Sequence, residues 1–348
     1  RRSLAVQSRG ALTVRECAQY VDRAAPPGRC SVGAATGSSV NLAFWASVKS
    51  AGGSAQGRLA AGNGQGILVF EATDDDPSGP FSWSEATRCF CTYPLKVFLP
   101  RDVGRPCCRW IYPAVFGGGL VSGDVIDIDI TLGAKTCVLL TSQSFPKVYV
   151  AEPGRVAEQR CRFSLSDGAL LCVLPDLLTC FRDASYRQEQ AVRMAGSASL
   201  VLLDWFLAGR VANGERWDFT RLTSVVEVYL EEQMVLREAM DMADVPGLRL
   251  RASMGEYNVV GTCIVVGPHL TDLSSSLCAR LSVREDYGVS PAREVVFACS
   301  PFSSSCQRVQ GCVLRFGTYT SFQAYSKLEE LLQPLFAVLG GNPFHLKY

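Results

Sequence analysis

The sequence predicts a mainly β protein, and two observations carry that prediction. From Ile67 onward, short apolar or alternating segments are divided by turn residues at close intervals, the pattern of an all-β architecture rather than of alternating β and α units. In addition, 48% of the 348 residues are hydrophobic, enough to bury a sizeable core as one large domain or two ordinary ones.

Taken in order, residues 1–62 come first and offer little to bury. "RAAPPGRC" and "SAGGSAQGRLAAGNGQG" predict a low-complexity, disordered N-terminal extension ahead of one β domain at 63–348. The first fifteen residues hold four arginines and no acid, a composition shared with organelle transit signals. The clearest strands are "GILVFEA", "RCFCTYPLKVFL", "DVIDIDITL", "TCVLLT", "KVYVA", "SLVLLDWFLA", "NVVGTCIVVG" and "EVVFAC". Asn213-Gly214, a dipeptide that tolerates positive φ, predicts a type I′ hairpin between "LVLLDWFLAGRVA" and "ERWDFTRLTSVVEVYL". "VVEVYLEEQMVLREAM" reads two ways: its Glu, Leu and Met content suits a helix, while Val225–Leu230 is β-like and Glu231-Glu232-Gln233 can turn. Near the C-terminus, Leu328, Leu331, Leu332, Leu335 and Leu339 recur at helical spacing. Ser326 and Glu329 supply a capping box there, Pro334 a kink and Gly340-Gly341 a stop.

Composition also excludes functions. Thirty-four Lys+Arg against 33 Asp+Glu leave a formal charge of +1, without the basic footprint of a nucleic-acid binder. Asp204 and Pro175-Asp176 interrupt the longest apolar stretches, so none reaches the roughly 18–20 residues of a membrane span. The fifteen cysteines are odd in number and contain no C-x-x-C, which predicts buried, reduced thiols in a cytoplasmic protein. The alternative is a cysteine-rich metal-binding or storage protein with a soft-metal site from Cys89, Cys91, Cys107 and Cys108. With only His269 and His345, and neither G-x-S-x-G nor H-E-x-x-H, the chain has little material for a histidine-based catalytic centre. It reads as a protein that is not an enzyme.

"FGGGLVSGDVIDIDI" at 116–130 is the most unusual stretch. Its three glycines lead into a strand with no Lys following, and an Asp would repel phosphate, so a nucleotide loop is set aside. Alternation puts Ile128, Ile130 and Leu132 on one face and Asp127, Asp129 and Thr131 on the other. Two carboxylates about 7 Å apart make either a solvated face or, with Asp124 at its mouth, an attractor for a divalent cation.

Six stretches, in order, resemble the urease accessory protein UreD (UreH) family. They are "TRCFCTYPLKVFLP", "YPAVFGGGLVSGD", "LLTSQSFPKVY", "LPDLLTCFRDASYRQ", "LDWFLAGRVANGERW" and "GCVLRFGTYTSFQAYSKLEELLQPLF". The N-terminal extension, the cysteine excess and Asp176 in the place of a family Glu depart from the pattern. The resemblance implies a non-enzymatic scaffold of stacked β-strands with a few short helices, and it favours a hairpin over 225–240. It implies binding to apo-urease and UreF, with UreG joining through UreF, and Ni²⁺ in transit with no permanently bound cofactor. It also assigns the nickel passage to Asp124, Asp127, Thr141, Ser142, Gln143, Asp176 and Glu215. Tyr149, Phe181, Tyr186, Trp205 and Trp217 are expected in core packing and the partner interface. Carboxylate, hydroxyl and carbonyl oxygens hold Ni²⁺ more loosely than imidazole or thiolate, which suits an ion that must be released.

Overall fold

The computed structural model describes residues 62–73, 79–101, 103–104, 107–281, 293–303, 310–345 and 347. The expected disorder of 1–62 lies, but for Gly62, outside the described residues. The described residues open with β1 (Asn63–Ala72), β2 (Ser84–Cys91), β3 (Leu95–Phe98) and β4 (Cys108–Val115). A repeating course follows through β5 (Val125–Leu132), β6 (Cys137–Thr141), β7 (Lys147–Val148), β8 (Ala157–Leu165), β9 (Leu170–Leu174), β10 (Leu178–Cys180), β11 (Ser185–Met194) and β12 (Ser199–Leu207). Next come β13 (Arg221–Leu230), β14 (Gln233–Met242), the short helix α1 (Leu250–Met254) and β15 (Val259–Val266). Helix α2 (Thr271–Leu281), β16 (Val295–Ser303), β17 (Gln310–Thr318), α3 (Ser321–Leu332) and α4 (Phe336–Leu339) complete it.

Two sheets result. The smaller runs β14-β13-β11-β8-β5-β1-β2, and the larger β16-β17-β15-β12-β9-β6-β4-β3, with β10 beside β12 and β7 beside β10. Each step from β5 to β6, β8 to β9 and β11 to β12 crosses between the sheets, so equivalent strands stack in parallel. This is a mainly β, stacked, solenoid-like scaffold with a few short helices.

The hydrophobic pattern explains which strand joins which layer. In the smaller sheet one face meets the core and the other meets water, so β5 and β13 alternate buried with partly exposed residues. The larger sheet is covered twice. Leu140, Leu171 and Leu202 pack toward the smaller sheet, while Leu139, Leu170 and Leu203 pack with Leu277 and Leu328 from α2 and α3. Buried on both faces, β6, β9 and β12 read as nearly continuous apolar runs.

β13 and β14 form the antiparallel hairpin, turning at Glu231 with φ of 54°. Asn213-Gly214 does not make a hairpin. β12 and β13 belong to different sheets, and Gly214 instead ends a 3-10 turn at Val211–Asn213 in the left-handed region. The capping box of the C-terminal helix is Thr320 with Gln323, six residues before the expected pair, because the helix starts at Ser321. Pro334 falls in a 3-10 turn that joins α3 to α4, and Gly340 closes α4 at φ of 79°. Among the described residues no helix is long and apolar enough to cross a membrane.

Candidate functional site

Core strands normally turn apolar side chains inward, yet the inner face of β8 and β11 carries glutamines. Gln159, Gln188 and Gln190 line a cavity of about 150 Å³ between the sheets, facing Thr141 at the end of β6 and Asp204 of β12. Asp204 is buried and fully paired: Gln188 Nε2 donates to its Oδ1 at 2.8 Å and Ser224 Oγ to its Oδ2 at 2.6 Å. Tyr186 donates to Gln188 Oε1 at 2.9 Å and completes the network. Burial raises the Asp204 carboxyl from 3.8 to about 6, against the opposing pull of the Ser224 and Gln188 hydrogen bonds.

A second carboxylate lines the same cavity. Asp176 follows β9, is 3% exposed, and accepts from the Tyr325 hydroxyl at 2.9 Å and from Lys347 Nζ at 3.0 Å. The Lys347 ammonium also donates to the Ser142 carbonyl at 2.7 Å and Thr141 Oγ1 at 3.4 Å. Three oxygens from three residues thus surround one positive charge. Ser142 Oγ accepts from the Asp176 amide, which fixes the carboxylate relative to that carbonyl. Burial, with Asp176 adding to it, pushes the Tyr112 hydroxyl up to about 12, so Tyr112 stays a neutral neighbour. The glycine loop borders the cavity through Gly118, Gly119 and Leu120. A Cβ on Gly119 would lie 2.6 Å from the Lys147 carbonyl, so a side chain there would part the loop from β7.

The family described as "UreD urease accessory protein" matches residues 65–347. Urease accessory protein D of Arabidopsis thaliana is 33% identical over 282 residues, covering 75% of this chain and 95% of that protein. The corresponding protein of Oryza sativa subsp. indica is 32% identical over 282 residues, covering 75% and 91%. Urease accessory protein UreD of Anaeromyxobacter sp. (strain Fw109-5) is 33% identical over 264 residues, covering 75% and 84%. The chain belongs to the UreD family of urease accessory proteins.

In this UreD-family chain, four of the seven expected passage residues meet at the cavity: Thr141, Ser142, Gln143 and Asp176. The other three do not line it. Asp124 accepts from the backbone of Gly62 and Val121 at 2.7 and 2.8 Å and so fastens the turn before β5. Asp127 points outward, where strand register sets Arg160 opposite it and Arg162 opposite Asp129, in a ladder of ion pairs. Glu215 pairs with Arg210, whose side chain holds its carboxyl below the usual range.

The aromatic residues divide similarly. Tyr186, Trp205 and Trp217 are at most 2% exposed and pack in the core. Tyr149 and Phe181 are partly exposed and meet edge to face at 5.3 Å, with the Arg210 guanidinium 4.2 Å over the Phe181 ring. Glu215 therefore acts on that patch through Arg210. Gln159, Gln188, Gln190, Asp204 and Lys347 belong to no motif that marks them as site residues in the sequence. The one available signal was Asp204, an acid inside "SLVLLDWFL". Among the described residues, the group of three close metal-ligating side chains is Cys278, Cys299 and Cys312, and none of Cys89, Cys91, Cys107 or Cys108 joins it.

Proposed function

We propose that this chain is a non-enzymatic urease maturation factor of the cytoplasm that binds apo-urease and UreF, with UreG joining through UreF. In this reading it passes Ni²⁺ toward the urease active site through the oxygen-lined cavity. The observation that carries the reading is the Lys347 ammonium seated among the Asp176 carboxylate, the Ser142 carbonyl and Thr141 Oγ1. A buried ionised carboxylate is costly unless it is paired, and a tethered ammonium that pairs with Asp176 can swing into solvent when a divalent ion arrives. Carboxylate, carbonyl and hydroxyl oxygens would admit Ni²⁺ and let it leave, because they grip it less tightly than thiolate or imidazole. The same oxygens do not select nickel over magnesium, so selectivity falls to the partners that load the ion.

The test is genetic and biochemical. Cells lacking this chain are expected to accumulate urease protein with little nickel and little activity, restored by the full chain. Full urease activity without the chain would overturn the proposal.

A further inference from the structure

A different metal chemistry is set on the helical side of the larger sheet, at three cysteines none of which lines the cavity just described. Register puts Cys299 of β16 opposite Leu314 and Cys312 of β17 opposite Pro301, so the two cysteines are diagonal neighbours on one sheet face. Helix α2 packs over that face and brings Cys278. The three sulfur atoms all lie within 4.8 Å of one another, and Cys278 Sγ is 3.3 Å from Cys299 Sγ. Metal–sulfur bonds of about 2.3 Å place thiolates roughly 4 Å apart around a trigonal or tetrahedral ion, which these positions already approach.

The surroundings choose the class of ion. Leu277, Leu281 and Phe297 pack in this part of the core, and the three-residue group contains sulfur ligands alone. An all-thiolate set favours thiophilic ions over the oxygen-seeking Mg²⁺ and Ca²⁺. Cys278 and Cys299 are half-buried, which gives an ion a way in, while Cys312 is buried at the base.

We propose that Cys278, Cys299 and Cys312 form a three-thiolate site for one thiophilic cation of the Cu⁺ or Zn²⁺ class, separate from the oxygen-lined cavity. Binding releases the three thiol protons to solvent as three metal–sulfur bonds form; no oxidant is required. The test uses the reduced full chain, stripped with a chelator and titrated with Co²⁺ as a reporter for Zn²⁺, and in a second arm with Cu⁺. The expected result is thiolate-to-metal charge-transfer absorption that saturates at one ion per chain and protects Cys278 and Cys299 from alkylation. Displacement of Co²⁺ by Zn²⁺ assigns the site to zinc, and a tighter Cu⁺ complex assigns it to copper. Cys278→Ser and Cys299→Ser should each weaken binding by at least the ~10–100-fold that loss of an outer-shell partner costs, and Cys89→Ser should change nothing. Three thiols that remain freely alkylated at saturating metal, a Cys278–Cys299 disulfide in place of a metal complex, or undiminished binding in the folded Cys278→Ser variant would overturn the proposal.

Discussion

Asp204 and Asp176 are both buried acids lining one cavity, and their partners separate them. Asp176 meets a cation, whereas Asp204 is held by the neutral donors of Gln188 and Ser224 and its carboxyl is raised to about 6. Because the folded state then keeps the Asp204 proton longer than the unfolded chain, the contribution of Asp204 to stability falls as pH rises from about 4 to about 6 and is level above. The difference corresponds to about 3 kcal/mol. Asp204→Asn, whose Oδ1 can still accept from Gln188 and whose Nδ2 can donate to Ser224 Oγ once that hydroxyl turns, should flatten that slope and raise the urea midpoint at pH 7; an unchanged slope would show that Asp204 does not carry it. Asp204 was visible in the sequence as an acid in an apolar run. Lys347 was not, since its carboxylate partner stands 171 positions away and no local pattern connects them. Asp127 was legible as an outward-facing strand residue, but alternation alone cannot say that arginines stand across the register.

At the scale of elements, legibility followed burial. β5 announced itself by strict alternation, and β6 and β12 by their apolar runs. β11, "SYRQEQAVRM", was missed because Gln188 and Gln190 occupy inward positions where a core strand would carry aliphatic residues. What hid the strand also brings polar groups into an otherwise largely apolar cavity. Helix boundaries depended on caps: the Thr320 hydroxyl accepts from the Gln323 amide and the Gln323 side chain accepts from the Thr320 amide. Thr320→Ala should therefore lower stability by about 1 kcal/mol, measured by chemical denaturation, while Ser326→Ala leaves it nearly unchanged. Equal losses from both would place the helix start where the leucine spacing alone had suggested. The Asn213-Gly214 error has a different origin: the dipeptide satisfied its own backbone preference in a 3-10 turn, and the sheets took the flanking strands apart.

For the whole molecule, the alternation of the chain between two sheets places a cavity between layers and carries its lining residues in from many turns of the scaffold. Family membership was legible from the order of six motifs, and the stacked architecture with it. The grouping of Thr141, Ser142, Gln143 and Asp176, to the exclusion of Asp124, Asp127 and Glu215, required the fold. The central claim is that the oxygens around Lys347 carry nickel on its way to urease. Its most direct measurement is the nickel content of urease matured in cells with Asp176→Asn in place of the wild-type chain, alongside co-purification of the maturation complex. The account predicts that the complex still assembles and that nickel per urease active site falls severalfold; a full nickel complement with Asp176→Asn would contradict it.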